Sequence, residues 1–168
     1  MSKFLEPGAY LPHRPPMMFV GQVVNIDEDS VSCESDTAVG GPFDLALNDD
    51  GTLDNYFMYE FLAQTIGVWA GYFREIENRK NEEDGGAQEE KLADIGMLLS
   101  IRSGKLRAGR IAPNSLLCAT MHKLFRDGQV ATFEGSVHCK GEELATARVT
   151  VFQPKVNELS TFFPKKND

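Results

Sequence analysis

The chain has 168 residues, 42% apolar and 25% charged, enough for one domain with a sizeable core. A net charge of −8 argues against nucleic acid or an anionic membrane as the main partner. No apolar run approaches the ~20 residues of a spanning helix, and the N-terminal residues lack a signal-peptide core.

The three cysteines, Cys33, Cys118 and Cys139, are odd in number and form no CxxC pair. Neither a disulfide framework nor a zinc ribbon is suggested, and a cytoplasmic protein with idle thiols is expected. Residues 1–16 hold Pro7, Pro12, Pro15 and Pro16, which limits regular structure there. Met17–Asp27 is rich in β-branched residues and predicts a strand. Ser30–Thr37 alternates Val31, Cys33 and Ser35 with polar neighbours and reads as its hairpin partner. Gly40–Leu53, with Gly-Gly-Pro and Asn-Asp-Asp-Gly, predicts a loop.

A long helix is expected next, with Asp54 as its N-cap. Leu62, Ile66, Trp69, Phe73 and Ile76 recur at steps of four and three. From Phe61 to Phe73 the other faces are apolar or small as well, the mark of a buried helix. The polar, charged stretch at about 78–92 predicts a flexible acidic loop. Four strand-like runs follow: Ile95–Arg102, Leu116–Phe125, Gln129–Cys139 and Glu142–Phe152. Residues 155–168 read as a C-terminal arm of a single domain, 1–168. An antiparallel sheet with one helix to wrap is an α+β layer solution. One sheet cannot cover a helix that is apolar on several sides, so at least a dimer is expected.

Glu60 stands in the first turns of that helix. A carboxylate there is expected to be partly desolvated, and such a group is kept when it is paired or does chemistry. The bland alternative is a first-turn acid satisfied by the helix dipole. Gln64 lies one turn on and shares its face, and Gly67 and Gly71 continue the stripe. Gln64 and Gly67 are candidate substrate-binding positions; the competing roles are a structural hydrogen bond and simple close packing. His13 is the one histidine outside the last strands, and imidazole suits a general base. His122 and His138 fall on expected strands, and three scattered histidines do not make metal spacing. Arg102, Lys105, Arg107 and Arg110 form a basic run in an acidic chain, suited to an acidic or phosphate-bearing partner, or else an ordinary solvated loop.

Three stretches together resemble the beta-hydroxyacyl-acyl carrier protein dehydratase family, which has the hotdog fold. Leu11-Pro12-His13-Arg14-Pro15-Pro16-Met17 is similar to its LPHR-x-P-hydrophobic opening, and Glu60-Phe61-Leu62-Ala63-Gln64 to its E-x-x-AQ helix motif. Ile111-Ala112-Pro113-Asn114 stands in the place of a V-x-PG turn. Leu98–Arg102 and Ala145–Pro154 look like the dehydratase-like branch of aryl-polyene clusters. The resemblance implies an antiparallel sheet wrapped around the long helix. It implies dehydration of a 3-hydroxyacyl thioester, carried on acyl carrier protein or CoA, to a trans-2-enoyl thioester.

Glu60 would be the acid and His13 the base, with no metal or redox cofactor. The family's usual histidine in the pre-helix loop has no counterpart: the loop reads Gly41-Pro42-Phe43-Asp44-Leu45-Ala46-Leu47. Two alternatives therefore stand beside the enzyme: a non-catalytic subunit paired with an active dehydratase in a heterodimer, and a hotdog acyl-thioesterase. The implied partners are the thioester's carrier and a second copy or a second dehydratase, with no nucleic acid and no membrane.

Overall fold

The structure is a computed structural model that describes residues 3–164. The ends of the expected domain, 1–2, and of the expected arm, 165–168, lie outside the described residues. Among the described residues eight strands occur in chain order: β1 (Gln22–Ile26), β2 (Ser30–Asp36), β3 (Leu53–Asp54), β4 (Met97–Leu106), β5 (Arg110–Ile111), β6 (Leu116–Asp127), β7 (Val130–Cys139) and β8 (Glu142–Phe152). A long helix, α1 (Phe57–Glu83), lies between β3 and β4, and a single turn, α2 (Leu159–Phe162), follows β8.

Six strands form one antiparallel sheet in the order β1-β2-β6-β7-β8-β4. The two-residue alternation decides which side chains enter the core. On β6, Leu117, Ala119 and Met121 are buried, while Leu116 and His122 are exposed on the other face. Helix α1 packs across β2, β6, β7 and β8 and brings Met58, Phe61, Leu62, Ile66, Val68 and Trp69 into that core. Trp69 meets Phe133 edge-on at 5.2 Å between ring centroids, and its indole donates to the carbonyl of Asp27 at 3.0 Å. A sheet curled around one long helix is the architecture the sequence led us to expect.

Among the boundaries that differ from the sequence expectation, three have a clear cause. The first strand starts at Gln22 rather than Met17, because residues 17–19 bond to a helix side chain instead of to a strand. Asp54 is no N-cap: it pairs with Arg110 in the small β3–β5 ribbon, and α1 begins at Phe57 with no side-chain cap. Residues 78–83, expected in a flexible loop, continue α1. Good helix formers fill that end, Arg126 bonds Glu77, and the Asn78 amide clasps the backbone of Leu92 at 2.9 and 3.2 Å. The helix stops at Gly85, whose φ of +79° is the left-handed conformation that ends helices.

Cys33 on β2 is fully buried, and this burial pushes its thiol up to about 12 from an ordinary 9.0. Its unfolded form ionises first as pH rises, so the folded state loses stability between those two values. We expect thiol reagents to label native Cys118 and Cys139, and Cys33 only on unfolding. Mass spectrometry of the labelled chain checks this, and the decline of Tm with pH above about 9 is expected to be shallower in Cys33→Ala.

Candidate active site

The site is assembled by one face of α1 and by the segment that precedes β1. Glu60, Gln64, Gly67, Gly71 and Arg74 follow at the spacings that stack side chains on one helical face. The sheet does not cover this face; residues 10–13 lie along it instead. A Cβ on Gly67 would stand 2.6 Å from the Leu11 side chain, and one on Gly71 would run into the backbone of Tyr10. The missing side chains therefore admit the N-terminal segment, which sets Leu11 and His13 beside the helix. A cleft of about 350 Å³ remains, walled by Tyr10–His13 on one side and by Met97 and Leu98 of β4 on the other.

Gln64 fixes the geometry at the head of this cleft. It is 1% exposed, and its amide oxygen accepts from the Phe19 amide at 2.8 Å. Its nitrogen donates to the Met17 carbonyl at 2.8 Å and to Glu60 Oε1 at 2.9 Å. Both amide protons are thus committed to the protein. His13 Nε2 stands 3.8 Å from the same Glu60 oxygen. His13 Nδ1 is shut off from solvent and has no hydrogen-bond partner among the described residues, and Nε2 is the nitrogen directed at Glu60. Arg14 pins this stretch by donating to the carbonyls of Leu11 at 2.8 Å and His13 at 2.6 Å.

Glu60 was expected in dry surroundings. Its side chain is 42% exposed and that of His13 36%, so the pair sits at an open mouth in the single chain. The cause is position: Glu60 is in the first turn, on the side the sheet leaves bare. The first-turn amides of Met58 and Tyr59 already donate to Asn55 and Tyr56, so the helix start offers its dipole more than free donors. The pre-helix loop sends Phe43 into the core, stacked on Phe19 at 4.8 Å and edge-on to Phe61 at 5.9 Å. Asp44 there accepts from the Gly40 amide at 2.7 Å and braces the loop.

The basic run divides. Arg107 and Arg110 line a second cavity of about 270 Å³, together with Asn55 and Lys140 near the start of α1. Arg107 pairs with Glu142, and Arg110 with Asp54 at 3.1 Å. Arg102 and Lys105 lie outside that cavity, exposed on the edge strand β4. His122 and His138 sit on the outer face of the sheet, where Ser136 Oγ is 3.2 Å from His138 Nδ1. Among the described residues no cluster of three or more His, Cys, Asp or Glu side chains has the arrangement to hold a metal ion. Arg74, Met97 and Leu98 were not expected at the site from the sequence, where Leu98 entered only through the Leu98–Arg102 resemblance; for Arg74 the signal was present, since it shares the helical face of Glu60.

A long helix wrapped by a six-stranded antiparallel sheet, with an acid and a histidine at the head of a helix-side cleft, defines a hotdog protein of the dehydratase-like class. The chain belongs to the ApeP-like family, described as ApeP dehydratase, whose profile matches residues 5–164. It is similar to the dehydratase heterocomplex ApeI:P from Xenorhabdus doucetiae, with 32% identity, 97% of this chain and 100% of that chain covered, and a TM-score of 0.79. The TT0310 protein from Thermus thermophilus shares the fold, at 16% identity, 84% and 100% coverage and a TM-score of 0.56. So does a hypothetical thioesterase with coenzyme A from Streptococcus pneumoniae, at 11% identity, 80% and 85% coverage and 0.56. No curated protein matches the chain.

Replacing Gln64 with Leu leaves the Phe19 amide and the Met17 carbonyl without their partner. We expect a loss of about 1–3 kcal/mol in urea unfolding, together with faster hydrogen exchange at the Phe19 amide. Unchanged exchange there would show that the clamp does not hold the segment.

Proposed function

We propose that the chain dehydrates 3-hydroxyacyl thioesters to trans-2-enoyl thioesters. The observation that carries this reading is the 3.8 Å approach of His13 to Glu60 at the head of a cleft of about 350 Å³. His13 Nε2 takes the proton from C2, and the electron pair left behind forms the C2=C3 bond. The C3–O bond breaks, and Glu60 gives its proton to the departing hydroxyl, which leaves as water. The proton then returns from His13 to Glu60, and the closeness of the two groups permits this through at most one water. Gln64 is a positioning residue, since it holds Glu60 and the His13 segment in one frame. Gly67 lines the cleft and admits the Leu11 side chain beside the tail's path. The open basic cavity at Arg107 and Arg110, with Arg102 and Lys105 on the adjacent edge, suits the phosphate of a carrier-protein or CoA thioester. Family membership supports a cytoplasmic place in fatty-acid or aryl-polyene assembly.

The chain is proposed to work in a pair with a second dehydratase subunit. Strand β4 ends the sheet with ten residues and, among the described residues, no neighbour on its outer side, an arrangement natural proteins seldom leave bare. It carries Leu98, Leu99 and Ile101, 47%, 55% and 38% exposed. Leu98 also forms the cleft wall, so a subunit docked on this edge would close the cleft and dry the Glu60 mouth. A solved structure similar to this chain is a dehydratase heterocomplex. The second reading, a subunit that shapes its partner's site without catalysing, is favoured by one observation: the pre-helix loop holds Phe43 in the core and no histidine.

The test is turnover of a 3-hydroxyacyl carrier-protein thioester by the purified chain, alone and with its co-purifying subunit. Glu60→Gln is expected to abolish it, and His13→Asn to lower it about 100-fold or more. Full turnover by both variants would assign catalysis to the other subunit. Replacing Leu99 and Ile101 with Asp is expected to separate the pair on size exclusion, with the sheet intact by circular dichroism.

A further inference from the structure

The chemistry just proposed uses only the head of the cleft, and the opposite end is not apolar. Fourteen residues beyond Glu60, the same helical face brings Arg74 to the lining. At 1.5 Å per residue the two positions are ~21 Å apart along α1. Between Gln64 and Arg74 the helix contributes only Ile66, Gly67, Ala70 and Gly71 to the cleft, with no polar side chain among them. The helix side of the cleft is therefore apolar up to the guanidinium, with its two glycines packed against Leu11 and Tyr10.

Arg74 is enclosed but incompletely paired. Its side chain is 11% exposed. Nε and Nη2 donate to Glu75 Oε1 at 3.3 and 3.1 Å, and Glu75, its neighbour in sequence, is itself 53% exposed. Asp94, also on the lining, makes no ion pair with it, and Nη1 has no acceptor among the described residues. A guanidinium carries five donors in a fixed fork, and the bonds to Glu75 use two of them at a residue that lines the cleft. Withdrawing such a group from water is costly unless acceptors meet it. A methyl terminus pressed against it would complete the desolvation and offer nothing in return, whereas an oxygen would take the open donors.

We propose that Arg74 reads the far terminus of the acyl chain, so that the cleft takes chains ending in a hydrogen-bond-accepting oxygen in preference to chains ending in methyl. This inference rests on the reading of the cleft as the acyl site. A carboxylate and a hydroxyl share the accepting chemistry, and the experiment separates them.

The probes are saturated acyl pantetheine thioesters, which have no 3-hydroxyl to lose. They form a length series, each length ending in methyl, hydroxyl or carboxylate. Their Kd values are measured by calorimetry on the full-length chain with its co-purifying subunit. At the length that reaches Arg74, the oxygen-ended thioesters are expected to bind about tenfold tighter than the methyl-ended one. A larger gain for carboxylate than for hydroxyl assigns the readout to charge; equal gains assign it to hydrogen bonding. Arg74→Met is expected to bring the ratio to about one, and Arg74→Lys to keep part of the carboxylate preference. Equal wild-type binding of methyl- and oxygen-ended chains overturns the inference and leaves the dehydratase reading standing, and this arm needs no variant. A preference that survives in folded Arg74→Met does the same. Binding of none of the thioesters, with no Glu60-dependent turnover, overturns both.

Discussion

One buried amide holds the site together. Gln64 has almost no exposure and makes three hydrogen bonds, two to the backbone of residues 17–19 and one to Glu60. The backbone groups it satisfies would otherwise be unpaired beside the core. The same side chain therefore anchors the segment before β1 and sets the rotamer of Glu60. The amide makes the location of His13 a property of the helix, although His13 belongs to a stretch with little regular structure of its own.

The rest of the site follows from what α1 leaves uncovered. The sheet takes the face of Phe61, Leu62 and Trp69. The opposite face is kept low by Gly67 and Gly71, so a second layer of chain lies close against it and a cleft remains where that layer ends. The edge strand β4 supplies the other wall and stops there, with apolar side chains facing solvent. A single chain thus builds most of a cleft and leaves its mouth open along a strand edge that has no partner among the described residues. Incompleteness of this kind is what a two-subunit site requires of each half.

Much of this was legible in the residues. The periodicity of Leu62, Ile66 and Trp69 marked the long helix, and the turn chemistry around Asp127-Gly128 and Lys140-Gly141 marked the hairpins, because local patterns dictate both. The motif residues Glu60 and Gln64 pointed to the cleft. What failed to show was non-local. The helix runs on to Glu83 because Arg126 and Leu92 hold its polar end, and neither is near it in sequence. The openness of Glu60 depends on which helical face the sheet leaves bare, which periodicity alone does not give for a helix apolar nearly all round. The division of the basic run depends on β4 and β5 belonging to different sheets, so that Arg107 and Arg110 find acids while Arg102 and Lys105 find none among the described residues. The glycine stripe was visible, but not that Leu11 and Tyr10 would fill it.

The central claim is that Glu60 and His13 together move the proton at C2 of an acyl thioester. The most direct measurement runs the reaction backward: the enoyl thioester is incubated in D2O with the chain and its co-purifying subunit, and deuterium at C2 of the hydrated product is read by mass spectrometry. The account predicts incorporation that disappears when either Glu60 or His13 is replaced. Incorporation at an undiminished rate in both variants would contradict it.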